Sequence, residues 1–257
     1  MSPLIFKTGT FSRGSRRVEG CANPVFDGSV VTVEGFVRCH IKLLDEAAFF
    51  VESVCSWALA SASLPTPEPY WIKVPKIVLP KGTAWPYGNA DFFLCFGTRT
   101  IIGARTFRHS SSYDPAKDII KWQHCAGAAT FDEAVANDDR GMQNILTDGR
   151  RHWLIDHSRA FANNYRDPAA MKDTEPLFTN TLLALLAAQN QNQRLKSAEQ
   201  IKKACGIVFS SLTALPYQPF YSENELQAGL QYFLDARLSR LTDLCMNRLN
   251  IGTLDLP

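Results

Sequence analysis

The chain reads as an α+β fold in which strands come first and helices last. Three observations predict it. Short β-branched and aromatic runs separated by Gly-containing turns fill the chain to about residue 44, and strand-like runs recur up to residue 97. From Leu177 onward, apolar residues recur at helical spacing. Between these regions, Leu64-Pro65-Thr66-Pro67-Glu68-Pro69 stops a helix and forces extended chain. A length of 257 residues suffices for one large domain or two small lobes around a cleft. The change in character divides the chain into residues 1–97, mainly strands plus one helix, and residues 98–257, mostly helical.

Composition narrows the function. A formal net charge of +2 is too small to point to nucleic acid, so no direct nucleic-acid partner is expected. No apolar run reaches transmembrane length, and Met1–Lys7 lacks the apolar core of a secretory signal. The cysteines are odd in number, scattered and never spaced Cys-x-x-Cys. That argues against a disulfide framework or structural zinc and for a reducing, cytoplasmic setting.

Taken in order, Thr8-Gly9-Thr10 and Ser12-Arg13-Gly14-Ser15 are turn-capable stretches. Val25-Phe26 and Val30-Val31-Thr32-Val33 around Asp27-Gly28 suggest a hairpin. In the next strand, Val37, Cys39 and Ile41 share the face toward the sheet's core, which leaves Lys42 on the other. A helix follows from about Asp45 to Ala60, with Phe49, Phe50, Val54, Trp57 and Ala58 at helical spacing and Glu52 polar among them. Tyr70–Val74, Ile77–Leu79 and Phe92–Gly97 are strand candidates. Arg99, Arg105, Arg108 and His109 read as scattered surface charges, with phosphate contact as the alternative. A short helix is expected within Asp114–His124. Thr130 and Glu133 fit a capping box opening a helix. Further helices are expected at Leu177–Ala188 and at Ser197–Cys205, the latter closed by Gly206. A final long helix capped by Ser222 and Glu225 carries an apolar stripe from Leu226 to Leu249.

The stretch that carries chemistry is Asn137-Asp138-Asp139-Arg140-Gly141-Met142-Gln143-Asn144, followed by Trp153-Leu154-Ile155-Asp156. Ile145–Thr147 and His152–Ile155 read as strands joined by a tight Asp148-Gly149 turn. A hairpin brings its open ends together, so Asn144 comes close to Asp156. Two oxygen ligands there suit a hard cation such as Mg²⁺, and Asp139 is left to face a hydroxyl substrate. An Asp, an Asn five residues later and a second Asp after a hairpin form the base-and-metal set of kinases. The alternative is an exposed acidic turn and a strand-ending Asp. Lys42 and Glu52, alone, also read as solvated charges; with the downstream set they read as the strand-Lys and helix-Glu pair that holds nucleotide phosphates. Arg140 reads as a tether of this loop rather than a phosphate contact.

These blocks, with Phe50-Val51-Glu52 and the proline-rich stretch, resemble the HipA-like kinase domains of bacteria. The Asp-Arg-x-x-x-Asn run is also similar to phosphatidylinositol 3/4-kinases. The resemblance implies a two-lobe protein-kinase-like fold, with a small sheet-rich N-lobe and a helical C-lobe. It implies an ATP- and Mg²⁺-dependent phosphotransferase, with a protein Ser/Thr acceptor as first expectation and an antitoxin protein as possible partner. Lys42 is then placed at the phosphates with Glu52 orienting it, Asp139 is the base, and Asn144 and Asp156 are the metal ligands. Gly14 and Ser15 stand in for the phosphate loop, since a Gly-x-Gly-x-x-Gly run is absent. Asp156-His157-Ser158 replaces the Asp-Phe-Gly of animal-type kinases. Ser12, Ser15 and Ser110-Ser111-Ser112 are candidate self-targets. A lipid or small-molecule kinase and a non-catalytic nucleotide-binding module are the alternatives.

Overall fold

The computed structural model describes residues 6–21, 23–83, 88–107, 114–163, 165–167, 169–215 and 224–251. It divides into two compact units, one of Met1–Trp57 with Pro67–Gly103, the other of Ala58–Thr66 with Ala104–Pro257. The expected boundary at residue 97 falls inside a strand, so the division lies just beyond that strand's end.

In the first unit five strands close into a barrel, ordered β1-β2-β3-β5-β4. They are β1 (Lys7–Val18), β2 (Val25–Thr32), β3 (Gly35–Lys42), β4 (Pro69–Pro75) and β5 (Phe92–Arg99). Neighbours pair antiparallel except at the closure, where β1 runs parallel to β4 with Lys7 opposite Tyr70 and Thr10 opposite Lys73. Strand alternation fills the interior: Cys39 and Ile41 from β3, and Tyr70, Ile72 and Val74 from β4, are buried with Phe11, Phe26 and Val30. The Asp27-Gly28 turn does not form. β2 runs straight through, paired with β3 across Gly28, and the ring of Phe11 occupies the space a Cβ at Gly28 would need; glycine here serves close packing rather than a turn. Ile77–Leu79 is not a strand either; Lys76–Val78 form a 3₁₀ turn with Ile77 exposed.

Helix α1 (Glu46–Ser61) begins where Asp45 Oδ1 accepts from Ala48 N at 2.8 Å. Almost its whole surface is buried from Ala48 to Leu59, Glu52 included, so it is a core helix rather than one with a solvated face.

The second unit holds a three-stranded sheet of β6 (Arg105–Thr106), β7 (Ile145–Thr147) and β8 (His152–Leu154). Its helices are α2 (Pro115–Lys121), α3 (Cys125–Ala134), α4 (Thr181–Ala187), α5 (Gln191–Thr213), α6 (Asn224–Leu238) and α7 (Leu241–Arg248). Several expected ends move. Thr130 is not a cap: it lies inside α3, buried, and its hydroxyl donates to the Ala126 carbonyl at 2.8 Å. Asn190 caps α5, so the polar stretch 189–193 starts a helix instead of linking two. Gly206 does not end that helix, because Val208, Ser211 and Leu212 beyond it are buried on the same helix. The expected last helix is two, α6 and α7, broken at Ser239-Arg240. Arg108, His109, Ser110–Ser112 and Ser222 lie outside the described residues. Among those described, no helix is long and apolar enough to cross a membrane, and of the cysteines Cys21 is exposed while the rest are buried.

The close approach at Gly97 tests this packing. A Cβ on Gly97 would collide with the Ile72 side chain and stand 3.0 Å from the His40 carbonyl oxygen. Gly97→Ala is expected to cost about 1–3 kcal/mol through overpacking, read as a lower urea midpoint at unchanged m-value.

Candidate active site

The sequence-predicted hairpin forms. Ile145 pairs with Leu154 and Thr147 with His152, and Asp148 locks the turn: its Oδ1 accepts from Arg150 N at 2.9 Å and Arg151 N at 2.8 Å. Gly149 takes φ 90°, which suits glycine. These donors and the Arg151 guanidinium hold the Asp148 carboxyl down at about 2. At the open end, Ile155 N donates to Asn144 O at 3.1 Å. That contact adds a rung and brings the chain at Asn144 beside the chain entering Asp156.

Arg140 fixes this open end. It is fully buried, and each of its five N–H donors has an acceptor. Nε donates to Asp132 Oδ2 at 2.9 Å and Nη2 to Asp132 Oδ1 at 3.1 Å. Nη1 donates to Asn144 O at 2.9 Å and to Ile155 O at 2.6 Å, bridging the two strand ends. Nη2 also meets His157 Nδ1 at 2.9 Å. A guanidinium only donates, so Nδ1 accepts and the ring proton sits on Nε2. Asn137 completes the loop: its Nδ2 donates to Asp132 Oδ1 at 2.9 Å, and its Oδ1 accepts from Asp139 N at 3.2 Å.

On this frame Asp139 and Asn144 touch. Asn144 Nδ2 donates to Asp139 O at 2.6 Å and to Asp139 Oδ2 at 3.1 Å. Only the amide nitrogen donates, so both contacts fix the carboxamide's orientation and leave Oδ1 as its oxygen for any cation. Asp156 is half-buried at φ 58°, in the left-handed region that a non-glycine residue enters at a cost. Ser158 Oγ donates to its Oδ1 at 2.9 Å. Hard oxygens on Asn144 and Asp156 fit Mg²⁺, which takes one or two protein ligands and completes its shell with water and phosphate. No cluster of three or more His, Cys, Asp or Glu suited to a metal occurs among the described residues.

In the first unit, Lys42 Nζ pairs with Glu52 Oε1. Glu52 is 1% exposed, so its charge is held inside the fold with the lysine beside it. Gly14 and Ser15 lie within β1, where pairing with β2 shifts register between Arg13 and Arg16. They occupy a different rung from Lys42, which pairs with Val25.

Sequence reasoning did not single out Asp132 and gave no role to Asn137 or the ring of His157. A signal existed for the first: Asp132-Glu133 interrupts the run Ala128-Ala129-Thr130-Phe131 and Ala134-Val135-Ala136, all buried. Acids inside so apolar a segment need partners of opposite charge. Glu133 finds Arg237 at 3.1 Å and Arg248 at 2.7 Å.

No family model and no curated protein matches the chain. Among solved structures it is similar to the proinflammatory kinase CtkA of Helicobacter pylori, with 12% identity and TM-score 0.54 over 91% of this chain and 94% of that one. It is also similar to the PAN3 pseudokinase of Neurospora crassa, with 12% identity and TM-score 0.36 over 90% of this chain and 62% of that one, a likeness too distant to carry an argument. The first likeness shows the fold: α+β and kinase-like, without singling out the HipA type.

Replacing Arg140 by Met leaves the Asp132 carboxyl buried without its guanidinium partner and removes a donor from the carbonyls of Asn144 and Ile155, the first of which keeps Ile155 N. A loss of about 3–5 kcal/mol is expected, measured by denaturant unfolding. Arg140→Lys is expected to fall well short of native stability too, because an ammonium offers three donors rather than five.

Proposed function

We propose that the chain is an ATP- and Mg²⁺-dependent phosphotransferase that passes the γ-phosphoryl group to a hydroxyl. The observation that carries this is the Asp139–Asn144 contact at the end of a hairpin whose other strand leads into Asp156. The kinase-like fold supports it.

Each residue then has a defined task. Asn144 Oδ1 and the Asp156 carboxylate would hold Mg²⁺, which supplies positive charge to the phosphate oxygens. Asp139 accepts the proton of the attacking hydroxyl through its carboxylate; its contact with Asn144 restrains where that carboxylate points. In the first unit, Lys42 offers its ammonium to phosphate oxygens and buried Glu52 keeps it aimed. Phosphoryl transfer asks little covalent chemistry of a protein, so positioning and charge do most of the work.

The finer reading follows the sequence motifs. A Ser or Thr of a protein is the proposed acceptor, in the manner of HipA-like kinases, with an antitoxin-type partner and a cytoplasmic setting. Ser12 is a poor self-target, since its hydroxyl donates to Ser29 O at 3.1 Å within the β1–β2 pairing. A lipid or small-molecule acceptor is the second reading, favoured by Asp139-Arg140-x-x-x-Asn144.

Incubation with γ-labelled ATP and Mg²⁺, with and without cell extract, separates these readings by where the label ends: protein, lipid or soluble metabolite. Nucleotide binding with no transfer to any of them would leave a binding module. Asp139→Ala and Asp156→Ala are each expected to lower transfer by at least about a hundredfold with the circular dichroism spectrum unchanged. Unaltered turnover in either variant refutes its assignment.

A further inference from the structure

A cavity of ≈ 1480 Å³ in the second unit opens at the turn side of the hairpin, and Asp139, Asn144 and Asp156 are not among the residues that line it. Its rim carries Arg105, Lys121, Arg150 and Arg151 with the carboxylate of Asp118; all four cations are exposed, and Arg151 is already paired with Asp148 at 2.8 Å. Its floor is aromatic. His152 lies between Phe107, at 5.4 Å between ring centres, and Trp122, at 5.6 Å edge to face. Trp122 also meets His124 at 5.6 Å, and Trp153 carries the Arg151 guanidinium 5.1 Å from its ring centre. Burial lowers the proton affinity of both imidazoles and so favours their neutral form. His152 Nδ1 is buried and has no hydrogen-bond partner among the described residues.

These features select the ligand. A pocket for one small molecule typically measures about 300–1,000 Å³, and this cavity exceeds that. A phosphate group wants cations and backbone N–H groups converging on one point. Here the cations come from three separate elements, β6, the end of α2 and the β7–β8 turn. The turn's own N–H groups, those of Arg150 and Arg151, are already taken by Asp148. Separated cations over an aromatic floor match an extended chain with spaced carboxylates and an aromatic or aliphatic anchor between them. We propose that this cavity is a docking site for an acidic peptide segment of a partner protein, seated away from Asp139 and anchored by an apolar side chain against Trp122. The site stands independently of the phosphotransferase reading. If that reading holds, it recruits protein substrates.

The test uses the full chain and a short fluorescein-labelled peptide of glutamates flanking one phenylalanine, followed by fluorescence polarisation. Native protein is expected to bind it, more weakly as salt rises. Lys121→Glu with Arg150→Glu reverses two exposed charges and should weaken binding about tenfold or more, while Asp139→Ala should bind like the native chain. Loss of transfer and loss of docking are therefore distinguishable. Equal binding by native and charge-reversed protein, or no binding by native protein, overturns the proposal. So does binding of a single-stranded oligonucleotide in place of the peptide.

Discussion

The bidentate pair between Asp132 and Arg140 is the constraint on which the candidate site depends. Both side chains are fully buried, and taking two charges out of water costs several kcal/mol each before any attraction is counted. The arrangement persists because no donor of the guanidinium is wasted. What remains after Asp132 goes to the carbonyls of Asn144 and Ile155 and to the ring of His157. The pair thus spends its stabilisation on geometry. It sets the separation of two strand ends, and through them the placement of the residues that follow each.

The neighbouring acid extends that frame into the helical body. Glu133 lies next to Asp132 on α3 but serves the other side. Its carboxylate meets Arg237 of α6, Arg248 of α7 and the Asn180 amide that caps α4. Arg237 also donates to the carbonyls of Glu133 and Ala134, which end α3. Burial lowers the affinity of Arg237 for its proton, and the Glu133 carboxylate opposes that effect. One helix, α3, therefore links the loop of Asp139 to three others through adjacent side chains.

Much of this was legible in the amino-acid order, and the gaps have physical causes. Asp148-Gly149 between apolar runs gave the hairpin, and alternation placed Cys39 and Ile41 inwards and Lys42 outwards. Local chemistry decides both. Glycine misled twice, at Gly28 and Gly206, where a neighbouring ring and a buried helix face outweighed its turn-forming habit. The Thr130 cap failed for a related reason: a Thr-x-x-Glu pattern describes a helix start only if the preceding residues are not themselves helical, and Cys125–Ala129 are. The closure of the barrel was invisible because it pairs β1 with a strand lying beyond the whole of α1, and no local signal encodes a partner so distant. Arg140 could be read as a tether, but its counter-ion could not be named without knowing which side of α3 faces the loop.

The parallel closure of β1 on β4 has a further consequence. Where the two strands pair, over Lys7–Thr10 and Tyr70–Lys73, neither leaves a row of backbone groups for an extended peptide to join. Along that seam a protein can meet the unit only through side chains. Val31, Phe36, Phe92 and Leu94 are exposed elsewhere on the strands.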